Sequence, residues 1–287
     1  MLCAEMRMLI SWDMFFVLVF SACCFMLELP GVLATYERPV PGQKIEVGGG
    51  EADFVKGQVW DQVYVPDDEQ VVPGVELVAL SFGLPLGGLL LGILLCQQVG
   101  DAAAFMKGFL LAMACSIACV DLVKNYVGYL RPYFYSECGF DESTGRCTHD
   151  KADAHRSFPS GHSSMSFAAM LFLSLYALGK VNAAVSKPFR LPLIGDIDLT
   201  NVLLLLALSP MAVAFWISSS RIRENDHHPA DVVGGAVIGS AWAVFWYSRY
   251  YPSIWDENSA RPRTQRPKSH DAFDDDSEST QRPRCSL

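Results

Sequence analysis

Residues 201–251 read NVLLLLALSPMAVAFWISSSRIRENDHHPADVVGGAVIGSAWAVFWYSRYY, and they already indicate the class of fold. Two apolar runs, Asn201 to Ser219 and Ala230 to Tyr251, flank a short charged segment. Each run is close to the roughly 20 helical residues that cross the hydrocarbon core of a bilayer. Four more such runs lie upstream, at Met8 to Leu29, Gly74 to Val99, Ala102 to Tyr129 and Ser163 to Leu178. The sequence therefore predicts an all-α fold, an integral membrane bundle of six transmembrane helices.

The composition agrees with this prediction. Hydrophobic residues make up 51% of the 287 residues and charged residues only 18%, whereas an average soluble domain has about 25% charged residues. The formal net charge of -9 argues against a nucleic acid partner, because phosphate backbones attract basic surfaces. The lipid bilayer is the expected partner.

We expect two regions in the chain. Residues 1–251 form the membrane domain, with a polar loop at 32–73, and residues 252–287 form a disordered polar tail that cannot bury a core. The first run is alternatively a cleaved signal peptide, because Val32, Leu33 and Ala34 resemble a cleavage site. The length of that run favours a retained helix.

Alternating membrane crossings place several helix ends on one face. The end of predicted helix three, the start of four, the end of five and the start of six lie together, and both termini lie on the opposite face. Lys180, Lys187 and Arg190 lie on the side of the termini, which favours that side as cytoplasmic. A site at the ends of helices three to six then faces the lumen or the extracellular space.

Two cations mark the end of predicted helix three. Lys124 and Arg131 are seven residues apart, about two helical turns, so both side chains can reach one anion. Pro132 disfavours helix at Arg131, and the guanidinium is therefore expected to leave the helix end. Considered alone, the pair is explained by cations that reach for lipid headgroups.

An anion site is also predicted where helix four begins. Ser160 and Gly161 have the character of an N-cap, whose free backbone N–H groups bind anions readily. His162 follows immediately. Ordinary helix capping explains this segment equally well on its own.

The third segment combines a histidine with a carboxylate. Pro229 is well placed as the first residue of helix six, which puts Asp231 in the first turn and His227 just before it. Asp231 can accept the ring N–H of His227 and leave the other nitrogen free to attack or to bind a proton. Arg221 offers a planar fork of donors suited to phosphate, and His228 has no comparable partner.

Phosphate chemistry explains the three segments together. The cations and the N-cap donors would stabilise a transferring phosphoryl group without a metal or another cofactor. In this hypothesis His227 is the nucleophile, Asp231 orients it, and His162 protonates the departing alkoxide.

The same segments resemble the motifs of a known family. They read KNYVGYLRP at 124–132, PSGH at 159–162 and SRIRENDHHPAD at 220–231. All three are similar, in the same order, to the signature motifs of type 2 phosphatidic acid phosphatases, in the eukaryotic lipid phosphate phosphatase branch. The resemblance implies a metal-independent phosphoric ester hydrolase that acts through a phosphohistidine. Its substrates would be phosphatidate, lysophosphatidate, diacylglycerol pyrophosphate and sphingoid phosphates.

The resemblance also implies a role for each site residue. His227 is the nucleophile, His162 the general acid and Asp231 the partner of His227. The phosphate binders are Lys124, Arg131, Ser160, Gly161 and Arg221. The active site is implied on the luminal or extracellular face, with both termini cytoplasmic and with no metal or cofactor.

The motifs are also compatible with other functions. An isoprenoid diphosphate phosphatase or a lipid phosphotransferase would share the motifs, and a membrane transporter would place ionisable groups at helix centres rather than at helix ends. Gly88 with Gly92, and Gly235 with Gly239, have the spacing of close helix contacts. We expect these contacts within one chain, and a homo-oligomer is the alternative.

Two cysteines lie between predicted helices three and four. Cys138 and Cys147 can form a disulfide in an oxidising lumen. A zinc site with His149 and His155 is less favoured, because the spacing matches no common ligand pattern. Free thiols are the third alternative.

Overall fold

A computed structural model describes residues 12–27, 32–39, 42–45, 53–96, 101–149, 152–185, 189–191, 195–197 and 199–263. Within these ranges the chain is mostly helical, as predicted. The helices are α1 (Trp12–Met26), α2 (Gly74–Cys96), α3 (Asp101–Val127), α4 (Phe134–Cys138), α5 (Gly161–Val185), α6 (Thr200–Leu208), α7 (Pro210–Arg223) and α8 (Pro229–Tyr250).

Three short antiparallel hairpins depart from the all-α prediction. The paired strands are β1 (Gly42–Ile45) with β2 (Asp53–Lys56), β3 (Phe140–Asp141) with β4 (Arg146–Cys147), and β5 (Phe189–Leu191) with β6 (Gly195–Ile197). These strands lie in the connections between long helices and are too short to show the alternating pattern that identifies a strand in a sequence. They do not form a larger sheet with one another.

Five helical segments are long and apolar enough to cross a membrane, and they indicate a multi-pass membrane protein. They are Gly74–Leu94, Asp101–Val127, Gly161–Ala183, Thr200–Arg223 and Pro229–Tyr250. The fourth combines α6 and α7, which are separated at Pro210 because proline has no backbone N–H to donate.

The first predicted crossing is only partly described. Its helix is apolar but shorter than the other five over Asp13–Met26. Residues 8–11 and 28–29 of that predicted run lie outside the described residues. The sixth span therefore stays a prediction.

Aromatic packing holds α5 at the centre of the bundle, where it contacts α2, α3, α7 and α8. Phe172 of α5 packs edge to face on Phe105 and Phe109 of α3, with ring centroids 5.3 and 6.0 Å apart. All three side chains are completely buried. This packing fixes α3 against α5.

Two glycines of α8 allow that helix to touch α5. A Cβ atom on Gly235 would lie 2.3 Å from the carbonyl oxygen of Ser160, and one on Gly239 would lie 2.2 Å from that of Ser164. A larger residue would overlap the backbone of α5 or of the residue before it. The small-residue spacing of α8 therefore serves a contact within the chain, and this contact sets the start of α8 beside the start of α5.

A buried polar cluster fastens the residues after α8 at the other end of the bundle. Asp101 forms an ion pair with Lys180 and accepts hydrogen bonds of 2.8 Å from the hydroxyls of Tyr176 and Tyr251. Lys180 also donates to the carbonyl oxygen of Ala260.

The predicted start of the tail at residue 252 is therefore too early. Residues 252–263 pack against the helices, and Ser259 and Ala260 are buried. Hydrogen bonds from Lys180 and to Gly179 hold this polar segment where composition alone predicted disorder. Residues 264–287 lie outside the described residues.

Candidate active site

Three segments remote in the chain meet where α3 ends and where α5 and α8 begin. The Ser160 N–H donates to the carbonyl oxygen of Asp231 at 2.9 Å, and the Ser157 N–H donates to that of Tyr129 at 2.8 Å. The Ser157 hydroxyl donates to Oδ2 of Asp231 at 2.6 Å. These bonds connect all three segments that carry the sequence motifs.

Helix α3 ends before Arg131, as Pro132 predicts. The last turn holds Lys124, and Gly128 follows in the left-handed region with φ +57°. A Cβ atom on Gly128 would also lie 1.7 Å from the carbonyl oxygen of Tyr36. Both the backbone angle and the close approach require glycine here, and the chain therefore turns before it reaches Arg131.

Arg131 is buried between two carboxylates. Its Nη2 lies 2.9 Å from Oδ2 of Asp153, and its Nη1 lies 3.4 Å from Oδ1 of Asp226. Burial opposes the charge of Arg131, but Asp153 and Asp226 outweigh burial, and the pKa of Arg131 is raised above its usual value. The guanidinium is therefore a permanent cation in this site.

Arg221 is the second buried guanidinium and is 0% exposed. Its Nη1 donates to Oδ2 of Asp226 at 3.0 Å and to Oε1 of Gln70 at 2.9 Å. Its Nε and Nη2 donate to the hydroxyl oxygen of Ser220, each at 3.1 Å, and Nη2 also pairs with Glu224. Asp226 therefore contacts both predicted phosphate-binding arginines.

The side chain of Lys124, from the last turn of α3, reaches the start of α5, where His162 lies. A Cβ atom on Gly161 would be 3.4 Å from Nζ of Lys124, and the N–H of Ser163 donates to the Ser160 hydroxyl oxygen at 3.4 Å in an N-cap arrangement. Nε2 of His162 is buried and has no hydrogen-bond partner among the described residues. His162 interacts electrostatically with Arg221, His227, Lys124 and Arg131, so the structure brings these predicted site residues together.

Asp231 contacts both adjacent histidines. Its Oδ2 lies 3.6 Å from Nδ1 of His227 and 3.2 Å from Nδ1 of His228, and it accepts the backbone N–H of His228 at 2.9 Å. The expectation that His228 lacks a comparable partner is therefore wrong. His228 is the N-cap of α8 and Asp231 is its N3 residue, so the two form a capping box. That three-residue spacing was visible in the sequence.

His227 is 3% exposed and uncharged at neutral pH. Burial lowers its pKa to about 3, an effect that Asp231 opposes and that the positive charges of Arg131 and Lys124 reinforce. A neutral imidazole keeps a free lone pair, which is the form needed for nucleophilic attack.

Several residues of the site carry no motif signal. Asp226 lies directly before His227, Asp153 lies in the loop before α5, and Gln70 comes from the polar loop before α2. Arg156 donates from Nη2 to Oδ1 of the buried Asp121, at 3.2 Å. Asp226 was the exception that the sequence could have shown, because it is a charged residue inside the third motif, directly before His227.

Cys138 and Cys147 are joined by a disulfide. It links the end of α4 to β4, in the loop that also carries Asp153. Both sulfurs are therefore engaged and are not available as zinc ligands in this state.

The PAP2 superfamily matches residues 105–255 of the 287-residue chain, a range that contains all three motifs. The chain belongs to the PAP2 superfamily. The family membership predicted from the motifs is thereby confirmed.

The curated relatives of this PAP2 protein include lipid phosphate phosphatases. It is 28% identical over 221 residues to lipid phosphate phosphatase 2 of Arabidopsis thaliana, covering 73% of this chain and 72% of the relative. It is 34% identical to lipid phosphate phosphatase 1 of the same plant, covering 57% of this chain and 50% of the relative. It is 33% identical to a probable diacylglycerol pyrophosphate phosphatase 1 of Schizosaccharomyces pombe, covering 51% and 53%.

The chain thus spans about half the length of the second and third relatives. No solved structure matches it. The relatives confirm the predicted enzyme class, a phosphoric ester hydrolase of the phosphatidate phosphatase type.

Proposed function

We propose that this PAP2 protein removes phosphate from membrane lipids of the phosphatidate type, namely phosphatidate, lysophosphatidate, diacylglycerol pyrophosphate and sphingoid phosphates. One observation carries the proposal: the buried, neutral His227 lies in the electrostatic reach of Lys124 and Arg131 and beside the carboxylate of Asp231. A nucleophile among fixed cations is suited to a phosphate dianion.

Phosphate binding would use the cations and the start of α5. Lys124, Arg131 and Arg221 provide positive charge, and Ser160 and Gly161 provide backbone donors at a helix N-terminus. These groups stabilise the equatorial oxygens of the transferring phosphoryl group. The chain's own side chains would thus supply the positive charge without a metal or another cofactor.

The chemistry would proceed in two steps. Nδ1 of His227 faces Asp231, so Nε2 attacks phosphorus while the phosphorus–oxygen bond to the leaving group breaks. His162 gives its proton to the departing oxygen, which is an alkoxide for a phosphate monoester and the phosphate of phosphatidate for diacylglycerol pyrophosphate. Water then attacks the phosphohistidine, His162 takes a proton from that water, and inorganic phosphate leaves. The dianionic substrate supplies the negative charge that stabilises protonated His162 until the first transfer.

The arrangement of the helices supports a proposed orientation in the membrane. The site lies at the ends of α3, α5, α7 and α8, and the basic residues Lys180, Lys187 and Arg190 favour the opposite side as cytoplasmic. The site would then open to the luminal or extracellular leaflet, with both termini in the cytoplasm.

A lipid panel with the purified protein tests this function. We expect release of inorganic phosphate from phosphatidate-type lipids in the presence of EDTA, and an acid-labile radiolabel that disappears in His227→Ala. Hydrolysis of polyprenyl diphosphates alone would support an isoprenoid diphosphate phosphatase, and transfer to an added alcohol would support a phosphotransferase. Substrate flux across vesicles that His227→Ala leaves unchanged would support a transporter.

A further inference from the structure

Part of the polar loop before α2 lies against the candidate active site. We call residues Gln62–Val72 the strap. At one end of the strap, the N–H of Gln62 donates to the carbonyl oxygen of Pro132 at 3.0 Å. The ring of Tyr64 packs edge to face on that of Tyr133, with centroids 4.8 Å apart. The strap is thus held by the segment that carries Arg131.

Its other contacts are with the segment that carries Arg221. Asn225 donates from Nδ2 to the carbonyl oxygen of Val63 at 3.1 Å, and Glu224 accepts the backbone N–H of Val71. Oε1 of Gln70 accepts from Nη1 of Arg221 at 2.9 Å. The strap therefore connects the two arginine segments and contributes a side chain to the site itself.

The amide of Gln70 is held in one orientation. Its Nε2 donates to Oδ1 of Asp67 at 2.9 Å, so its Oε1 is the atom directed at Arg221. Asp226 and Glu224 already place two carboxylates on the same guanidinium. Gln70, like the Ser220 hydroxyl, is a neutral acceptor. It holds the guanidinium without removing more of its positive charge, whereas a carboxylate at residue 70 would compete with an anionic ligand.

The geometry points to Gln70 as a positioning residue for phosphate binding, which acts through Arg221 and makes the strap a part of the active site. This inference rests on the proposed function. Its distinctive consequence is that the charge of residue 70 matters more than its size, because the amide supplies an acceptor without negative charge.

Gln70→Glu, Gln70→Ala and Gln58→Glu form a matched set. Gln58 lies just outside the strap and is exposed, so its variant makes the same amide-to-carboxylate change away from Arg221. For each protein we would measure KM and kcat on the best lipid substrate, Ki for orthovanadate, and the midpoint of thermal unfolding in detergent.

We expect Gln70→Glu to raise KM and the vanadate Ki about tenfold, while kcat changes less than about threefold. Gln70→Ala should raise KM and the vanadate Ki about threefold, because the guanidinium of Arg221 loses one of several acceptors. Gln58→Glu should match the parent. If Gln70→Glu does not fold, the alanine variant still tests the split between KM and kcat.

Two results would overturn the inference. One is an unchanged vanadate Ki in both Gln70 variants, and the other is a parallel fall of kcat and unfolding temperature with KM unchanged, which a merely structural role would give. If the parent is active, either result rejects only the role of Gln70. A parent that hydrolyses no lipid and is not bound by vanadate would reject the proposed function and this inference together.

Discussion

The carboxylate of Asp226 accepts a hydrogen bond from the guanidinium of Arg221, with 3.0 Å between Oδ2 and Nη1. Its other oxygen lies 3.4 Å from Nη1 of Arg131. Burial raises the pKa of Asp226, and the two arginines oppose that rise. One buried carboxylate thus connects the cations of the first and third motifs, and a phosphate bound by both must compete with it.

Asp226→Asn should therefore bind orthovanadate more tightly, by about three- to tenfold, because the competing negative charge is removed. The same change should lower the unfolding temperature, since two buried cations lose a counter-ion. Inhibition assays and thermal unfolding in detergent measure the two effects. Glu257→Gln, at an exposed position on the far end of the bundle, is the control. Weaker inhibition of Asp226→Asn by vanadate would contradict the competition.

His227→Ala and His228→Ala should differ sharply. Loss of the proposed nucleophile should reduce kcat by about a thousandfold or more, with little change in the unfolding temperature. His228→Ala instead removes part of the capping box and should cost about 1 kcal/mol of stability, with a far smaller loss of kcat. Steady-state kinetics and thermal unfolding of both variants separate the roles. Equal losses of kcat would refute the assignment of His227 over its neighbour.

Asp231→Asn should lower kcat by about a hundredfold or more, because an amide cannot hold the tautomer of His227 as a carboxylate does. The same side chain accepts the Ser157 hydroxyl, so Ser157→Ala provides the comparison. That variant removes one hydrogen bond to Asp231 and keeps the charge, and its kcat should fall less than tenfold. If kcat falls as far in Ser157→Ala as in Asp231→Asn, the hydrogen bond from Ser157, rather than the charge of Asp231, determines turnover.

The protonation of His227 should make the folded state sensitive to acid. Its pKa is about 3 in the folded protein and about 6.5 when unfolded. Between these values the unfolded state binds more protons than the folded state. The contribution of His227 to the free energy of unfolding is therefore fully present above about pH 6.5 and is lost as pH decreases towards 3. The unfolding temperature of the parent should therefore fall more steeply between about pH 7 and pH 4 than that of His227→Gln. Parallel curves would indicate that His227 takes up its proton without unfolding.

The helices and motif residues could be predicted because their signals are local. Length and apolarity identify the crossings, and alternation of the crossings places Lys124, His162 and His227 on one face. Gln70 could not be predicted, because it lies 151 residues from Arg221 in the chain and no local pattern links them. The prediction that His228 lacks a partner was wrong for a different reason. His228 precedes the first residue of α8, so capping geometry, rather than helical spacing, decides its contact with Asp231.

The close contact of α5 with α8 limits how a lipid can arrive. At Gly235 and Gly239 the two backbones leave no room even for a methyl group, so a hydrocarbon tail cannot pass between these helices. That side of the proposed phosphate site is therefore closed. If the substrate is a membrane lipid, as proposed, its tails must enter along a different side of the bundle.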